Sequence, residues 1–336
     1  NPMPSKAKKN AAKAAPEVPG RTNASSPVLA AAVIAVVACC GAGVLHLRSA
    51  AGDAGVAART DEPQLEELPP GALRKASCHV KSYRPAVKGC TPLPSDCGQI
   101  IIDDFLSPAE VAALWEIAER GMSMGGGSGG PTILDLQSGA LSLEDKFIDV
   151  WMAFNVSKRR AYTRSDLAVY GALTERLGAA VEAKFGVRGV LLTSPTFFSR
   201  ISADRPPKIP NDEYWHSHVD KLQYGSFTYT ALVYLSERGV DFEGGALRFD
   251  SPKTKRAVSM VAPRPGRVVL FTSGHEHPHH VEPVSAGTRL TLTVAFTCDR
   301  AAAIDDFLGR ALPDEAEAGG EEGGGAAGAD GGRGQR

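Results

Sequence analysis

The sequence lacks an excess of charge of either sign. Its 336 residues carry 37 lysines and arginines against 38 aspartates and glutamates, which leaves a formal net charge of −1. Because phosphate binding usually leaves a strongly basic face, this balance argues against nucleic acid as the main partner. The hydrophobic fraction of 43% is typical of a globular core, and the length allows one sizeable domain with flanking segments.

Cysteine is scarce, and the six cysteines lack the C-x2-C spacing of the common structural zinc folds. Cys39 and Cys40 lie in an apolar run near the N-terminus, where the sequence is compatible with either a packing role or palmitoylation. The other four, which lie beyond that run, are Cys78, Cys90, Cys97 and Cys298. An even set of four predicts two disulfides in an oxidising compartment, with three possible connectivities. We expect one bridge within the N-terminal three, and Cys298 to tie the last strand to the cysteine that remains.

One long apolar run interrupts the mixed composition. Residues 28–45, VLAAAVIAVVACCGAGVL, carry no charge over eighteen positions, and at ~1.5 Å per residue they span ~27 Å, close to the bilayer core. Residues 1–21 contain five lysines or arginines against Glu17. A buried core helix would be amphipathic, and a cleaved signal peptide has a shorter apolar run. We therefore expect a transmembrane signal anchor over residues 28–47, with the basic end cytoplasmic and the remainder lumenal or extracellular.

Two sequons lie on opposite sides of this predicted topology. Asn155 is followed by Val156 and Ser157, and on the lumenal side it is a candidate for N-glycosylation. Asn23 also matches the pattern, but it faces the cytosol on this topology and should stay unmodified.

Composition divides the chain into six parts. Residues 48–77 are rich in Ala, Gly, Pro and charge, and residues 313–336 have almost nothing to bury. The predicted parts are a cytoplasmic basic tail (1–27), the signal anchor (28–47), a stalk (48–77), a Cys-containing and helical support region (78–189), a strand-rich domain (190–312) and a disordered acidic, glycine-rich tail (313–336).

Two helices are predicted to precede a series of strands. SPAEVAALWEIAERG has Ser107 as N-cap, Glu110 closing a capping box and Gly121 as a stop, and SDLAVYGALTERLGAAVEAKFG ends at Gly186. Short β-rich segments bounded by turns follow: PTFFSRI, SFTYTALVYLS, ALRFD, GRVVLFT and RLTLTVAFT. The pattern indicates an α+β fold in which helices support a small β-barrel or sandwich.

The segment GGGSGG, residues 125–130, formally matches a dinucleotide-binding motif. No strand is predicted before it and no βαβ unit surrounds it, so it fails the structural context that such a motif requires. We interpret it as a flexible loop.

Histidine is rare, yet six of the eight histidines lie in two short segments. In the first, His216, His218 and Asp220 alternate, so an extended backbone would place all three on one face. The second, GHEHPHH at residues 274–280, contains four histidines between two predicted strands. Two imidazoles and a carboxylate suit iron, copper or zinc. Each segment alone is also compatible with a solvated polar loop.

The order of motifs around these histidines resembles the catalytic domain of the prolyl 4-hydroxylase-type 2-oxoglutarate and iron dioxygenases. The segments that carry the resemblance are HVD, TALVYLS, FEGGALRF, GRVVLFTS and HHVEPVSAGTR, across about residues 190–298. GCTP, GGSGGPTILDLQSGALS, PTFFSRI and DEYWHSHVDK extend it over most of residues 78–300. The resemblance implies a double-stranded β-helix, a jelly-roll barrel with supporting N-terminal helices, and assigns residues 190–312 as the dioxygenase domain.

The resemblance also implies a metal ligand set. The H-x-D of the family falls on His218 and Asp220, and leaves His216 outside the motif. The distal histidine of the family stands ten residues before a basic residue on the last strand, and counting back from Arg289 gives His279.

Further positions are implied to hold the cosubstrate. Arg289 stands where these enzymes often have lysine, and its planar fork suits bidentate binding of the far carboxylate of 2-oxoglutarate. Tyr234 falls on the position of a tyrosine that helps to hold the same molecule, although a core aromatic is the simpler interpretation. The implied cofactors are Fe(II), 2-oxoglutarate and O2, with ascorbate as reductant, and the implied reaction hydroxylates a protein side chain and releases succinate and CO2.

Two alternatives remain open. One is a cupin-like metal protein in which His216 and His218 bind together with His279. The other is an inactive barrel used for protein contacts, although an intact ligand set beside Arg289 argues against decay. Residues 203–212, ADRPPKIPND, are a candidate lid, but nothing in them names a substrate.

Overall fold

The computed structural model describes residues 65–304. The basic tail predicted over residues 1–27, the signal anchor over 28–47, most of the stalk and the tail over 313–336 lie outside the described residues and stay predictions. Within residues 65–304, no helix is long and apolar enough to cross a membrane. Residues 65–77, which composition assigns to the stalk, contribute two short strands to the folded unit.

Helices and strands are numbered in chain order over the described residues. The α-helices are α1 (Pro108–Met122), α2 (Val150–Ser157), α3 (Arg164–Phe185) and α4 (Asp220–Tyr224). The strands are β1 (Glu66–Glu67), β2 (Arg74–Ala76), β3 (Cys97–Ile102), β4 (Gly126–Gly127), β5 (Thr132–Leu134), β6 (Ala140–Glu144), β7 (Lys146–Asp149), β8 (Leu191–Ser202), β9 (Tyr229–Tyr234), β10 (Phe242–Gly244), β11 (Leu247–Asp250), β12 (Ala257–Val261), β13 (Val268–Thr272), β14 (His279–Val281) and β15 (Val284–Thr297).

The two predicted helices are α1 and α3, and local chemistry sets their ends. Ser107 accepts a hydrogen bond from the backbone N–H of Glu110, whose carboxylate accepts from the Ser107 N–H, so two unpaired helix donors are satisfied reciprocally. Helix α3 ends at Gly186, which adopts the left-handed conformation (φ 66°) that glycine tolerates best. Both helices pack against each other and against the large sheet.

The strands form two sheets that face each other. The large sheet has the order β2-β3-β13-β9-β15-β8-β5-β6-β4, and the small sheet has the order β1-β12-β11-β14. After β9 and β10, the chain enters the small sheet for β11 and β12, returns to the large sheet for β13, and then crosses to β14 and back to β15. This alternation is that of a double-stranded β-helix, and it confirms the predicted barrel.

Side-chain alternation separates an apolar face from a cavity face on the large sheet. Along β15, Leu290, Leu292 and Val294 belong to the core beneath the helices, whereas Arg289, Thr291 and Thr293 line a cavity. Neighbouring β8 follows the same period of two, with Phe198 in the helix-facing core and its two neighbours in the cavity wall. The helices therefore support the barrel from outside, and the opposite face of the large sheet lines the cavity.

Residues 125–130, predicted to be a flexible loop, are instead packed. Gly126 and Gly127 form β4, which pairs in parallel with β6, and both residues are buried. Strands β5–β7 and helix α2 were likewise not predicted, because each is short and gains stability from the sheet it joins.

Two disulfides attach the N-terminal segment to the large sheet. Cys78 pairs with Cys97 at the start of β3, at a sequence separation of 19 residues. Cys90 pairs with Cys298 directly after β15, at a separation of 208 residues. The first bridge closes a short local loop, and the second joins the two ends of the folded unit.

We predict that the long-range bridge stabilises the fold more than the local one. In the loop-entropy description the stabilisation grows with the logarithm of the loop length, so the Cys90–Cys298 bridge should contribute about 2 kcal/mol more. Urea unfolding of the Cys78→Ser/Cys97→Ser and Cys90→Ser/Cys298→Ser double variants would measure this difference. Equal losses of unfolding free energy in the two variants would contradict it.

Candidate metal centre

Two chain segments that are distant in the sequence are joined by a pair of backbone hydrogen bonds. The His218 N–H donates to the His279 carbonyl at 2.9 Å, and the His279 N–H donates to the His218 carbonyl at 2.9 Å. Asp220 begins α4, two residues after His218, and the Lys221 N–H donates to the Ser273 carbonyl at the end of β13. The H-x-D segment is thus a single β-bridge followed by a helical turn, rather than the regular strand that the alternation suggested.

The side chains of these three residues converge. The Asp220 Oδ1 atom lies 3.5 Å from His218 Nε2 and 3.5 Å from His279 Nε2, and one ligand atom from each residue lies within 4.8 Å of the others. Two metal bonds of about 2.1 Å can span roughly 4 Å, so a single ion can reach all three atoms. His218, Asp220 and His279 are the only such group of three among the described residues.

Backbone carbonyls fix the tautomers of both histidines. His218 Nδ1 lies 3.1 Å from the carbonyl oxygen of His216, and His279 Nδ1 lies 3.0 Å from that of His277. Because a carbonyl only accepts, each Nδ1 must carry the hydrogen, which leaves the Nε2 lone pairs directed towards Asp220. Burial lowers the pKa of His279 to about 4, so this ring is neutral at pH 7.

Thr230 and Ser273 hold the second carboxylate oxygen of Asp220. The Thr230 hydroxyl donates to Asp220 Oδ2 at 2.6 Å, and the Ser273 hydroxyl lies 2.9 Å from the same Thr230 oxygen. Burial alone would raise the pKa of Asp220, but the two facing imidazoles and the hydrogen bond from Thr230 bring it below its ordinary value. Asp220 therefore stays ionised, with Oδ1 left for an ion.

The remaining histidines of the two clusters have other partners. They are His216, whose Nε2 lies 2.7 Å from Glu213 Oε2, His275, whose Nδ1 lies 2.7 Å from Ser82 Oγ, His277, whose Nδ1 lies 2.9 Å from the Thr272 carbonyl oxygen, and His280, whose Nδ1 lies 2.9 Å from Asp250 Oδ2. The structure therefore brings together one histidine from each cluster with Asp220, and leaves four histidines outside the converging group.

A cavity of about 240 Å3 opens above the three converging side chains. Its inner wall is formed by β8, β9 and β15 of the large sheet and by Leu247 and Val281 of the small sheet. Exposed residues of the hairpin between β6 and β7, among them Glu144 and Lys146, also line it, so the cavity reaches the protein surface.

Arg289 is a buried cation inside this cavity, with only 1% of its surface exposed. Its Nε donates to the Gly245 carbonyl at 2.9 Å and its Nη1 to the Thr291 hydroxyl at 3.3 Å, while Nη2 has no hydrogen-bond partner among the described residues. Burial lowers the pKa of Arg289, but a guanidinium stays charged at physiological pH. A buried charge without an acidic partner is costly, which indicates that this end of the cavity receives an anion.

Tyr234 lies beside Arg289 but not in the cavity wall. Its ring centroid is 5.6 Å from the guanidinium carbon, and its buried hydroxyl makes no well-formed hydrogen bond within residues 65–304. Burial raises the pKa of Tyr234 to about 12, so the hydroxyl keeps its proton. Tyr214 and Tyr224 do line the cavity, and the Tyr214 hydroxyl accepts the Val284 N–H at 2.7 Å.

Sequence reasoning missed three residues of the site: Thr230, Ser273 and Tyr214. Thr230 and Ser273 carry no motif of their own, because a hydroxyl that orients a carboxylate has no fixed spacing from it. Tyr214 is four residues before His218, and only the packing of its segment shows that it faces the cavity.

The chain is similar to known oxygenases in sequence. The pattern of the 2OG-Fe(II) oxygenase superfamily matches residues 208–297. The 2-oxoglutarate and iron-dependent oxygenase domain-containing protein 3 of Rattus norvegicus is 42% identical over 221 residues, which cover 65% of this chain and 68% of that protein. Prolyl 3-hydroxylase 1 of Gallus gallus is 27% identical over 223 residues, which cover 60% of this chain and 29% of that protein. Among solved structures, a prolyl-4-hydroxylase of Pseudomonas putida matches with a TM-score of 0.40 and 22% identity, over 60% of this chain and 92% of that one.

We predict that Thr230→Val weakens the binding of divalent cations without unfolding the protein. The substitution removes the hydrogen bond to Asp220 Oδ2, and loss of such an orienting partner typically lowers metal affinity about 10- to 100-fold. Titration of the purified protein with Co(II) would measure the change. Thr174→Val is the matched control, since this buried threonine lies far from the site in sequence and its hydroxyl donates to the Gly171 carbonyl within α3. An unchanged affinity in Thr230→Val would show that the hydroxyl does not orient the ligand.

Proposed function

Since this chain belongs to the 2OG-Fe(II) oxygenase superfamily, and is a 2-oxoglutarate-dependent dioxygenase, we propose that it hydroxylates a protein side chain in the cavity above His218, Asp220 and His279. In this proposal the three side chains bind Fe(II), and Arg289 binds the far carboxylate of 2-oxoglutarate. The observation that carries it is the convergence of two Nε2 lone pairs and one carboxylate oxygen at the floor of a cavity that also contains a buried, incompletely paired arginine.

The donor set suits the proposed metal. Two imidazoles and one carboxylate form the facial arrangement that non-haem Fe(II) oxygenases use, with the opposite positions left open. Fe(II), 2-oxoglutarate and O2 together supply the oxidising chemistry, in which one oxygen atom enters a C–H bond of the substrate and the other enters succinate as CO2 is lost. The protein contributes orientation: carbonyls hold both imidazoles, Thr230 holds the carboxylate, and apolar walls limit the access of water.

The far end of the cavity suits the cosubstrate. Arg289 Nη2 is available to a carboxylate, and the neutral Tyr234 hydroxyl beside it can donate a second hydrogen bond. A guanidinium and a carboxylate form strong charge-assisted bonds in a buried site. Arg289 and the metal ligands thus support binding of the two ends of 2-oxoglutarate in one orientation.

A protein or peptide is the proposed substrate class. The cavity reaches the surface beside the exposed β6–β7 hairpin, which leaves room for a side chain to enter from a larger molecule. Prolyl 3-hydroxylase 1, one of the relatives, is named for a peptidyl substrate, although this chain spans less than a third of its length. Ascorbate completes the proposal as the reductant that restores Fe(II), and omitting it from the assay should slow repeated turnover.

We further propose that the catalytic unit lies in the lumen of the secretory pathway or outside the cell, behind a signal anchor at residues 28–47. The charge-free run and its basic flank support this topology. Two disulfides within residues 65–304 support it too, because disulfides persist mainly in oxidising compartments. Asn155 lies exposed in the last turn of α2, where a glycan would meet solvent.

We predict that His218→Ala, Asp220→Ala and His279→Ala each abolish iron binding and succinate formation. Each removes one of three ligands from a site that must keep its other positions free for the cosubstrate and O2. Iron content and succinate formation in the purified full-length chain would measure both effects. The matched controls are His216→Ala, His277→Ala and His280→Ala, because these histidines bond to groups other than the three metal ligands. Loss of iron in His216→Ala with retention in His218→Ala would favour the cupin-like alternative.

Arg289→Ala should differ from the ligand variants within the same series. Iron binding should survive, since Arg289 is not a ligand, while the affinity for 2-oxoglutarate falls. Removing one partner of a buried charged pair costs about 2–5 kcal/mol, which is a loss of roughly 30- to several-thousand-fold. Iron loss in Arg289→Ala would instead point to a general structural defect.

We predict that the chain expressed in animal cells carries a glycan at Asn155. Treatment with an N-glycosidase should lower its apparent mass, and Asn155→Gln should remove that shift. The control is Asn23→Gln, which should leave the shift intact because Asn23 is cytoplasmic on the proposed topology. Digestion of the catalytic unit by protease added to sealed microsomes would contradict the topology.

A further inference from the structure

A glycine-rich segment packs tightly against the chain that covers the cavity. We call residues 125–130 the glycine loop and residues 205–214 the covering segment. The glycine loop contributes Gly127 and Ser128 to the cavity wall, and the covering segment contributes residues that include Ile209 and Tyr214. The covering segment leads directly to His216 and His218, so its position is set close to the metal centre.

Two glycines allow the backbones of these segments to approach each other. A Cβ atom on Gly129 would lie 2.1 Å from the Pro206 carbonyl oxygen, and one on Gly130 would lie 2.6 Å from Asp212 Cα. These contacts are with backbone atoms, which cannot rotate away as a flexible side chain does. Neither glycine adopts a positive φ angle, so the requirement for glycine comes from the close approach and not from the local conformation.

Asp212 fastens the covering segment from the other side. Its carboxylate is buried and accepts hydrogen bonds from the Ser128 hydroxyl at 2.7 Å, the Lys208 N–H at 2.8 Å and the Ile209 N–H at 3.2 Å. One carboxylate thus closes the turn of the covering segment and ties that turn to the glycine loop. The proposed chemistry of the metal centre does not use it.

The covering segment ends at Tyr214, which faces the Arg289 end of the cavity. Tyr214 packs against the small cluster of Ile201, Phe242 and Val284, and its hydroxyl accepts the Val284 N–H. Tyr214 and Arg289 line the same cavity. Burial raises the pKa of Tyr214, while the Val284 amide and the charge of Arg289 oppose that rise. Because its hydroxyl accepts this bond, it retains a proton that it can donate into the cavity.

We propose that Gly129, Gly130 and Asp212 are positioning residues for cosubstrate binding, which seat the covering segment on the glycine loop so that Tyr214 forms the cavity wall beside Arg289. The inference rests on the proposed function, because it takes the cavity to be the site of 2-oxoglutarate. It assigns a role to the GGGSGG motif that neither the metal ligands nor Arg289 explain.

The metal centre should not depend on this contact. His218 and His279 are held by their own reciprocal backbone bonds, and Asp220 is held by Thr230. Displacement of the covering segment should therefore change the affinity for 2-oxoglutarate and leave the affinity for metal unchanged. A general loss of folding would reduce both.

The test uses the purified full-length chain with Gly129→Ala or Asp212→Ala. Calorimetric titration with Co(II), and then with 2-oxoglutarate on the Co(II)-loaded protein, gives both affinities, and hydrogen exchange follows the amides of residues 205–214. We expect the Kd for 2-oxoglutarate to rise roughly tenfold to a hundredfold, as for a misplacement of about 1 Å. The Kd for Co(II) should stay unchanged, and the amides of Lys208 and Ile209 should exchange faster in Asp212→Ala. Asp212→Asn should restore the affinity, because an amide can keep all three bonds when Ser128 accepts one.

Two control variants distinguish the positioning role from a nonspecific effect of substitution. Gly171→Ala adds a methyl group on α3 with no atom within 4 Å, and Asp204→Ala removes an exposed carboxylate just before the covering segment. Both should retain the affinity of the wild-type chain. Faster hydrogen exchange in Asp212→Ala with an unchanged Kd for 2-oxoglutarate would overturn the inference. An equal loss of affinity for 2-oxoglutarate in the two control variants would overturn it as well. No binding of 2-oxoglutarate by the Co(II)-loaded wild-type chain would instead overturn the proposed function itself.

Discussion

The reciprocal backbone hydrogen bonds between His218 and His279 are the constraint on which the site depends. They fix the register of two segments that are far apart in the sequence, and so decide which histidine of each cluster faces Asp220. A slip of one residue would turn the opposite set of side chains towards the cavity. Carbonyl acceptors then hold both rings in one orientation, in which the three donor atoms converge.

The cavity combines apolar walls with a few buried polar groups. Strand β15 alternates between leucines under the helices and Arg289, Thr291 and Thr293 in the interior, so the same strand builds the core and the site. Arg289 is the costliest of these groups to bury, because a guanidinium has five N–H donors. The Gly245 carbonyl and the Thr291 hydroxyl accept hydrogen bonds from only some of them. The energetic cost of this charge is offset when an anion binds, which links the stability of the site to its cosubstrate.

The sequence was informative where one residue type has one structural use. A capping box marked the start of α1 and a stop glycine marked the end of α3, and alternating β-branched and aromatic residues marked β8, β9, β13 and β15. Gly121, predicted to end α1, instead lies inside that helix, which continues to Met122. The sequence was misleading at residues 125–130, because glycine is used both for mobile loops and for close backbone contacts, and composition does not distinguish them. Strands β4–β7 were not predicted from the sequence for a related reason. Segments of two to five residues carry too few side chains to show a period, and their neighbours in the sheet stabilise them.

By itself, the sequence determined the chemistry of this protein: a rare concentration of histidine, one alternating carboxylate and one arginine in a strand of otherwise uncharged residues. These features depend on residue type and on spacing within a single element, and both can be read directly from the sequence. The resemblance had already singled out His218, Asp220 and His279, and the tertiary structure showed that they converge. Only the tertiary structure decided that Thr230 holds the carboxylate and that Tyr214 rather than Tyr234 lines the cavity. Each of these depends on contacts between segments brought together by sheet pairing and packing, and no local pattern encodes the distance between them.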